Sequence, residues 1–176
     1  MKARCGRMAA LLLLLLLQAC SYQVPEPERY PLEGVNSSVK VGDLLITSQP
    51  DPQALAQLAK AGYKSVISTR GEGEIDWNEA ATARQLGMTF HQVPMQNPVS
   101  EISDSQVDQL TAAFENAAKP VVLHCGSGNR ASALWAAWLV EKKGVSVEEA
   151  LRLAGLTGMT SMRPVAEKRL KSEKTN

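Results

Sequence analysis

The stretch Val121-Val122-Leu123-His124-Cys125-Gly126-Ser127-Gly128-Asn129-Arg130 constrains this chain more than any other. An apolar run of strand length stops at a cysteine, small residues follow, and residues 131–143 are rich in Ala, Leu and Trp, as a helix requires. A strand therefore delivers Cys125 to the edge of a sheet, and two glycines let successive backbone N–H groups turn inward into a nest for a tetrahedral oxyanion. The helix adds its positive dipole end at the same point. A cysteine in such a place is expected to work as a thiolate nucleophile. Arg130 completes the pattern, because its planar, permanently charged fork meets two oxygens of a phosphate or sulfate where lysine offers a point charge. A merely buried cysteine would need neither the glycines nor the arginine.

The rest of the chain supplies a sheet for this loop. Residues 39–46 alternate as an edge strand, and Ser48-Gln49-Pro50-Asp51-Pro52 turns into a helix ended by Gly62. Residues 64–68 and 88–93 read as strands and 78–86 as a helix. Residues 103–118 read as a helix with Ser103 and Gln106 placed as a capping box. Strands alternating with helices predict an α/β fold, a single parallel-sheet domain with helices on both faces, whose ligands bind beyond the carboxyl ends of the strands. Trp135 and Trp138, at helical spacing, read as packing against the sheet, and His91 as a strand residue on a partly exposed face.

The three cysteines fall at positions 5, 20 and 125. Lys2, Arg4 and Arg7 followed by the apolar run 8–17 have the form of an export signal, too short to span a bilayer comfortably at ~20 residues. Leu17-Gln18-Ala19-Cys20 resembles the lipobox of bacterial lipoproteins, which implies acylation of Cys20, anchorage to a membrane and, with Ser21 following, sorting to the outer membrane on the periplasmic side. The expected organisation is a signal peptide over 1–19, a flexible Pro-, Glu- and Ser-rich tether over 20–38, and one domain over 39–176. Removing Lys2, Arg4 and Arg7 from 19 basic residues leaves 16 against 18 acidic, a net charge of −2. That balance argues against a nucleic-acid partner. With one thiol left in the domain and two histidines in the whole chain, no zinc-binding group is apparent, and no cofactor is implied.

From about Val39 to Leu170 the chain resembles the phosphatase-like family first noted beside bacterial beta-lactamase-hydrolase-like proteins, a branch of the cysteine-dependent dual-specificity phosphatases. The resemblance runs through Ser48-Gln49-Pro50, through Gly62-Tyr63-Lys64-Ser65-Val66-Ile67-Ser68-Thr69-Arg70 and through the Cys125 to Arg130 loop. It implies a tyrosine-phosphatase-like fold and phosphate-ester hydrolysis on a protein or small molecule. Cys125 would be the nucleophile, Gly126, Ser127, Gly128 and Asn129 would offer amides to the phosphate, and Arg130 would bind it, while His124 would orient the loop. Two features depart from the family. Four residues separate Cys125 from Arg130 where five are usual, a spacing shared with rhodaneses. Ala131 also replaces the usual Ser or Thr, leaving Ser132 or Ser127 to support the sulfur.

The family's acid is an Asp about thirty residues before the cysteine, and the corresponding loop, residues 93–101, contains none. Glu101 and Asp104 are the nearest carboxylates there, either as acids or as first-turn charges on the helix dipole. Glu72, Glu74 and Asp76 form a second acidic loop after the strand 64–68, suited to selecting substrate, to supplying the acid, or to lying solvated. Arg70 at that strand's end suits either the anion or an ion pair with Glu72 or Glu74. Beside a phosphatase, two other functions fit the loop: a sulfurtransferase carrying a persulfide on Cys125, and a non-catalytic module binding phosphate or sulfate groups at the envelope.

Overall fold

The computed structural model describes residues 22–172, so the expected signal peptide over 1–19 and Cys20 lie outside the described residues. In chain order its elements are β1 (Glu28–Arg29), β2 (Ser38–Val41), β3 (Leu44–Thr47), α1 (Pro52–Lys60), β4 (Ser65–Ser68), α2 (Glu79–Gln85), β5 (Thr89–Gln92), α3 (Asp104–Asn116), β6 (Val121–His124), α4 (Asn129–Lys143), α5 (Val147–Leu156) and α6 (Arg163–Ser172). The sheet order is β1-β2-β3-β6-β4-β5. β3, β6, β4 and β5 run parallel, while β1 and β2 extend the sheet antiparallel, so the sheet is mixed where the sequence suggested a parallel one.

Period-two alternation sorts the two faces. Leu45, Val66 and Val122 lie side by side in the register and pack with Leu55 and Leu58 of α1 and Ala83 of α2. Their neighbours Ile46, Ile67 and Leu123 face the other way, into the larger core with Val107 and Leu110 of α3, most of α4, and Leu153 and Leu170. α4 is apolar nearly all round because it is the central helix of that layer, enclosed by α3, α5 and α6. Trp135 and Trp138 are buried there, Trp138 with its ring centroid 4.8 Å from that of Phe114.

Helix starts follow their caps. Asp51 accepts the N–H of Ala54 at 2.7 Å, and the capping box of Ser103 and Gln106 is closed in both directions. α5 and α6 carry no assignment from the sequence, although Ser146, which accepts the N–H of Glu149, marks the start of α5. Two boundaries differ from expectation. The single strand 39–46 is a hairpin, turned at Gly42 with φ +58°, because Val41 and Leu44 pair across it. Residues 22–38, expected as a flexible tether, lie on the domain instead. β1 pairs with β2, Glu26 meets Arg152 at 2.6 Å, and Tyr22 packs edge-on against Trp138 under Lys143.

Register also lines up the strand ends. Thr47, Ser68, Gln92 and His124 form one row at the carboxyl edge, and Cys125 follows directly from its middle.

Candidate active site

Cys125 leaves β6 fully buried, and its sulfur accepts the N–H of Gly128 at 3.1 Å. Gly128 is the N-cap of α4, with φ +86° and no side chain to cap with, so the sulfur takes the place a capping oxygen holds elsewhere. Only glycine suits this position, since a Cβ here would be in left-handed backbone and 3.7 Å from the carbonyls of Thr47 and Thr157. Ser132 does not support the sulfur: its hydroxyl donates to Thr157 O at 3.0 Å. Ser127 is exposed. The Asn129 side chain turns away from the nest, accepting the N–H groups of Thr160 and Met162 and donating to Ser161, which fastens the loop to the turn before α6. Of Asn129 only the main chain remains for an anion.

Arg130 is buried in front of the loop, where it holds an anion of the protein's own. Nη1 and Nη2 donate to Oε1 and Oε2 of Glu74 at 2.7 and 2.5 Å, and Nη1 also donates to Met95 O at 2.5 Å. Gly71 N–H donates to Glu74 Oε1 at 2.8 Å, and Arg70 both donates to the Glu74 carbonyl and lies 3.6 Å from its carboxylate. A Cβ built on Gly126 would lie 3.5 Å from Nη1 of Arg70 and 3.8 Å from Nη2 of Arg130, so two guanidinium groups border the loop. The hydrogen bond from Arg130 holds the Glu74 carboxyl below its ordinary range, and the same bond raises Arg130. This two-oxygen, cation-bound seat suits a phosphoryl group.

Behind the loop sits a second carboxylate. Glu79, the first residue of α2, is 4% exposed; its Oε1 lies 3.0 Å from His124 Nε2 and accepts from Gln49 Nε2 at 2.7 Å. Burial alone would raise its carboxyl, but the contacts from His124, Gln49 and Ser68 outweigh burial and hold it low. His124 is fully buried, with Nδ1 3.5 Å from the Cys125 carbonyl, while Thr69 ties the His124 carbonyl through both N–H and hydroxyl. Glu79 and Gln49 went unassigned in the sequence. Gln49 had a signal, since Ser48-Gln49-Pro50 ends β3 on the same edge as Cys125.

Of the five carboxylates offered by the sequence as acids, Glu74 is the one bonded to Arg130. Asp104 is 82% exposed and pairs with Arg169 at 2.5 Å, which makes it a helix-end charge of α3. Glu101 is exposed on the loop before α3. Asp76 is exposed but lines a hollow with Arg70, Trp77 and Phe90 beside the site. Among the described residues, no group of three or more His, Cys, Asp or Glu is placed to hold a metal ion.

Comparison with known proteins agrees with this geometry. The chain is 31% identical over 98 residues to a beta-lactamase hydrolase-like protein of Xylella fastidiosa and 29% identical over 97 residues to one of Agrobacterium fabrum. These matches cover 53% and 52% of this chain but 22% of each relative, so the chain corresponds to one part of those longer proteins. In fold it is similar to P. aeruginosa TpbA, with TM-score 0.64 at 21% identity over 84% of this chain and 91% of that one. It is also similar to a putative phosphatase of Shewanella putrefaciens, with TM-score 0.63 at 19% identity over 81% and 94%. The family model for the phosphatase-like domain of beta-lactamase hydrolase-like proteins matches residues 38–141, from the first strand of the hairpin into the helix that starts at the cysteine loop, and the chain belongs to that family.

Proposed function

We propose that this domain is a cysteine-dependent phosphatase that hydrolyses phosphate monoesters through a phosphocysteine intermediate. The observation that carries this is the loop itself: Cys125 Sγ under the Gly128 N–H, with the fork of Arg130 in front of it already gripping two oxygens of one anion. An incoming phosphate exchanges with Glu74 on Arg130. Cys125 attacks phosphorus in line, an S–P bond forms as the ester P–O bond breaks, and Arg130 with the loop amides holds the equatorial oxygens as their charge spreads. Water then cleaves the S–P bond and releases phosphate. A phenolate leaves unaided, whereas an alkoxide needs a proton, for which Asp76, an exposed carboxylate lining the adjoining hollow, is the candidate.

The purified protein is expected to release phosphate from an aryl phosphate with metals chelated. Cys125→Ser is expected to abolish turnover while leaving the melting temperature unchanged; a serine variant with wild-type activity would end the proposal. The four-residue spacing keeps sulfur transfer as a competing function. It is separated by assay with thiosulfate and cyanide, where thiocyanate outpacing phosphate release would reassign Cys125 to a persulfide.

An acylated Cys20 would hold the domain at a membrane on the periplasmic side. Tyr22 packs on Trp138 and under Lys143, nine to fourteen residues past the start of α4, which at ~1.5 Å each is roughly 14 to 21 Å along the helix from the cysteine loop. The catalytic end would then face away from the bilayer, favouring substrates in the aqueous space over lipid headgroups of the same membrane. Mass spectrometry of the mature N-terminus in wild type and Cys20→Ala tests the anchor; an unmodified Cys20 in a soluble fraction removes it.

A further inference from the structure

The sulfur and the arginine account for the front of the loop, but the nest works only if its amides face forward. A trans peptide is planar, so the C=O of one residue and the N–H of the next point in opposite directions. The Cys125 carbonyl faces backward to His124 Nδ1 at 3.5 Å, and the Gly126 carbonyl faces backward to accept the Gln49 N–H at 3.2 Å. The N–H groups of Gly126 and Ser127 are thereby turned forward. Both rear contacts converge on one residue, since His124 Nε2 and Gln49 Nε2 lie 3.0 and 2.7 Å from the same oxygen of Glu79. We propose that Glu79 is a positioning residue, which by holding His124 and Gln49 on one carboxylate oxygen fixes the two peptide planes that present the phosphate-binding amides.

This rests on reading the loop as an anion nest, and two features favour a positioning role over plain stabilisation. A carboxylate only 4% exposed is costly to bury even when paired, and replacing a whole buried pair by apolar residues of similar volume is often neutral or stabilising, so stability alone gives little reason for the Glu79–His124 pair. Glu79 also faces one ring nitrogen of His124 at 3.0 Å while the Cys125 carbonyl faces the other at 3.5 Å, so the ring spans from the carboxylate to the loop's own backbone. Glu79 meets the ring from α2, while Arg70 and Arg130, with Glu74 between them, border the loop on its front. Glu79 therefore acts on the backbone around Cys125 through His124 and Gln49 without touching the sulfur.

The test is Glu79→Gln in the full chain, which keeps the volume and an oxygen for Gln49 while removing the charge. Alkylation of Cys125 by iodoacetamide, followed on its peptide by mass spectrometry across pH, is expected to shift its midpoint upward by on the order of one pH unit, tenfold in rate on the acid side. The vanadate concentration that protects Cys125 is expected to rise about tenfold, one such unit of binding free energy. Neither readout requires turnover, so a protein inert toward aryl phosphates yet showing both changes would lose the phosphatase assignment and keep this one. His124→Asn should give a similar shift, and the double variant no further shift, as members of one unit do. A wild-type alkylation profile and vanadate protection in Glu79→Gln, with only a lowered melting temperature, would overturn the proposal. If Glu79→Gln fails to fold, Gln49→Ala decides it: weakened vanadate protection supports the proposal, and unchanged protection overturns it.

Discussion

Two glutamates flank the cysteine loop, five positions apart in sequence, and their surroundings assign them opposite tasks. Glu74 lies in front on a loop, its side chain 14% exposed, and grips Arg130 with both oxygens. Glu79 lies behind at the start of a helix, its side chain 3% exposed, and meets a histidine and a glutamine with one oxygen. The carboxylate on the arginine shares its partner with any phosphate that enters, so it is an exchangeable occupant. The carboxylate on the histidine shares its partners with the loop's own backbone, so it is a fixed support. Distance to solvent, more than strength of contact, separates a group that must leave from one that must stay.

The largest expected effect breaks this pair apart by stability. Glu79→Ala leaves buried His124 and Gln49 without their common acceptor and should cost about 3 kcal/mol, in the range measured for removing one partner of a buried ion pair. Glu74→Ala removes a solvent-reached pair and should change stability by no more than about 1 kcal/mol. Urea denaturation of the two variants measures both; equal losses would show that front and back are equally structural.

This contrast explains what the sequence revealed and what it concealed. Cys125, the glycines and Arg130 were legible because strand, nest and helix are consecutive, and Gly128 has a backbone reason to be glycine. The capping box of α3 was legible for the same reason. Glu79 and Gln49 were not, because Glu79 reaches His124 from 45 positions away and Gln49 reaches Glu79 and Gly126 from the end of β3, through the crossed strand order β3-β6-β4, and nothing in local spacing encodes that order. Glu74 was visible only as one of three acids on a loop; which of them meets Arg130 depends on the path from Arg70 to α2. Pro and Glu content suggested a flexible tether over 20–38, while in its described part, residues 22–38, Tyr22, Val24 and Tyr30 pack on the domain.

A smaller effect sharpens the front half of the comparison. If Glu74 competes for Arg130, Glu74→Ala should lower the phosphate or vanadate concentration that protects Cys125 by about tenfold, the equivalent of roughly 1.4 kcal/mol, whereas Glu79→Gln raises it. Acid tests the same pair. Both carboxyls are held below the ordinary glutamate value of 4.5, so the stability they add is complete above that pH and is lost as pH falls through their lowered values. Melting temperature should therefore decline with acid below about pH 4.5, and less steeply in either variant; equal slopes in wild type and both variants would show that neither pair is linked to folding.

The smallest effect concerns the proton. Asp76 follows Glu74 by two residues on the same loop, exposed, in the hollow that includes Arg70 and Trp77. An acid fixed against the leaving oxygen contributes roughly 10²- to 10⁴-fold, but an exposed loop carboxylate is oriented only part of the time. Asp76→Asn should therefore slow hydrolysis of alkyl phosphates by about fivefold, below the range of a fixed acid, while leaving aryl phosphates, whose phenolate departs without a proton, nearly unchanged. Turnover of one alkyl and one aryl phosphate by wild type and Asp76→Asn reads this directly. Equal slowing of both substrates would assign Asp76 to binding, and no slowing of either would leave the proton to water and make the front of the loop a seat for anions without an acid of its own.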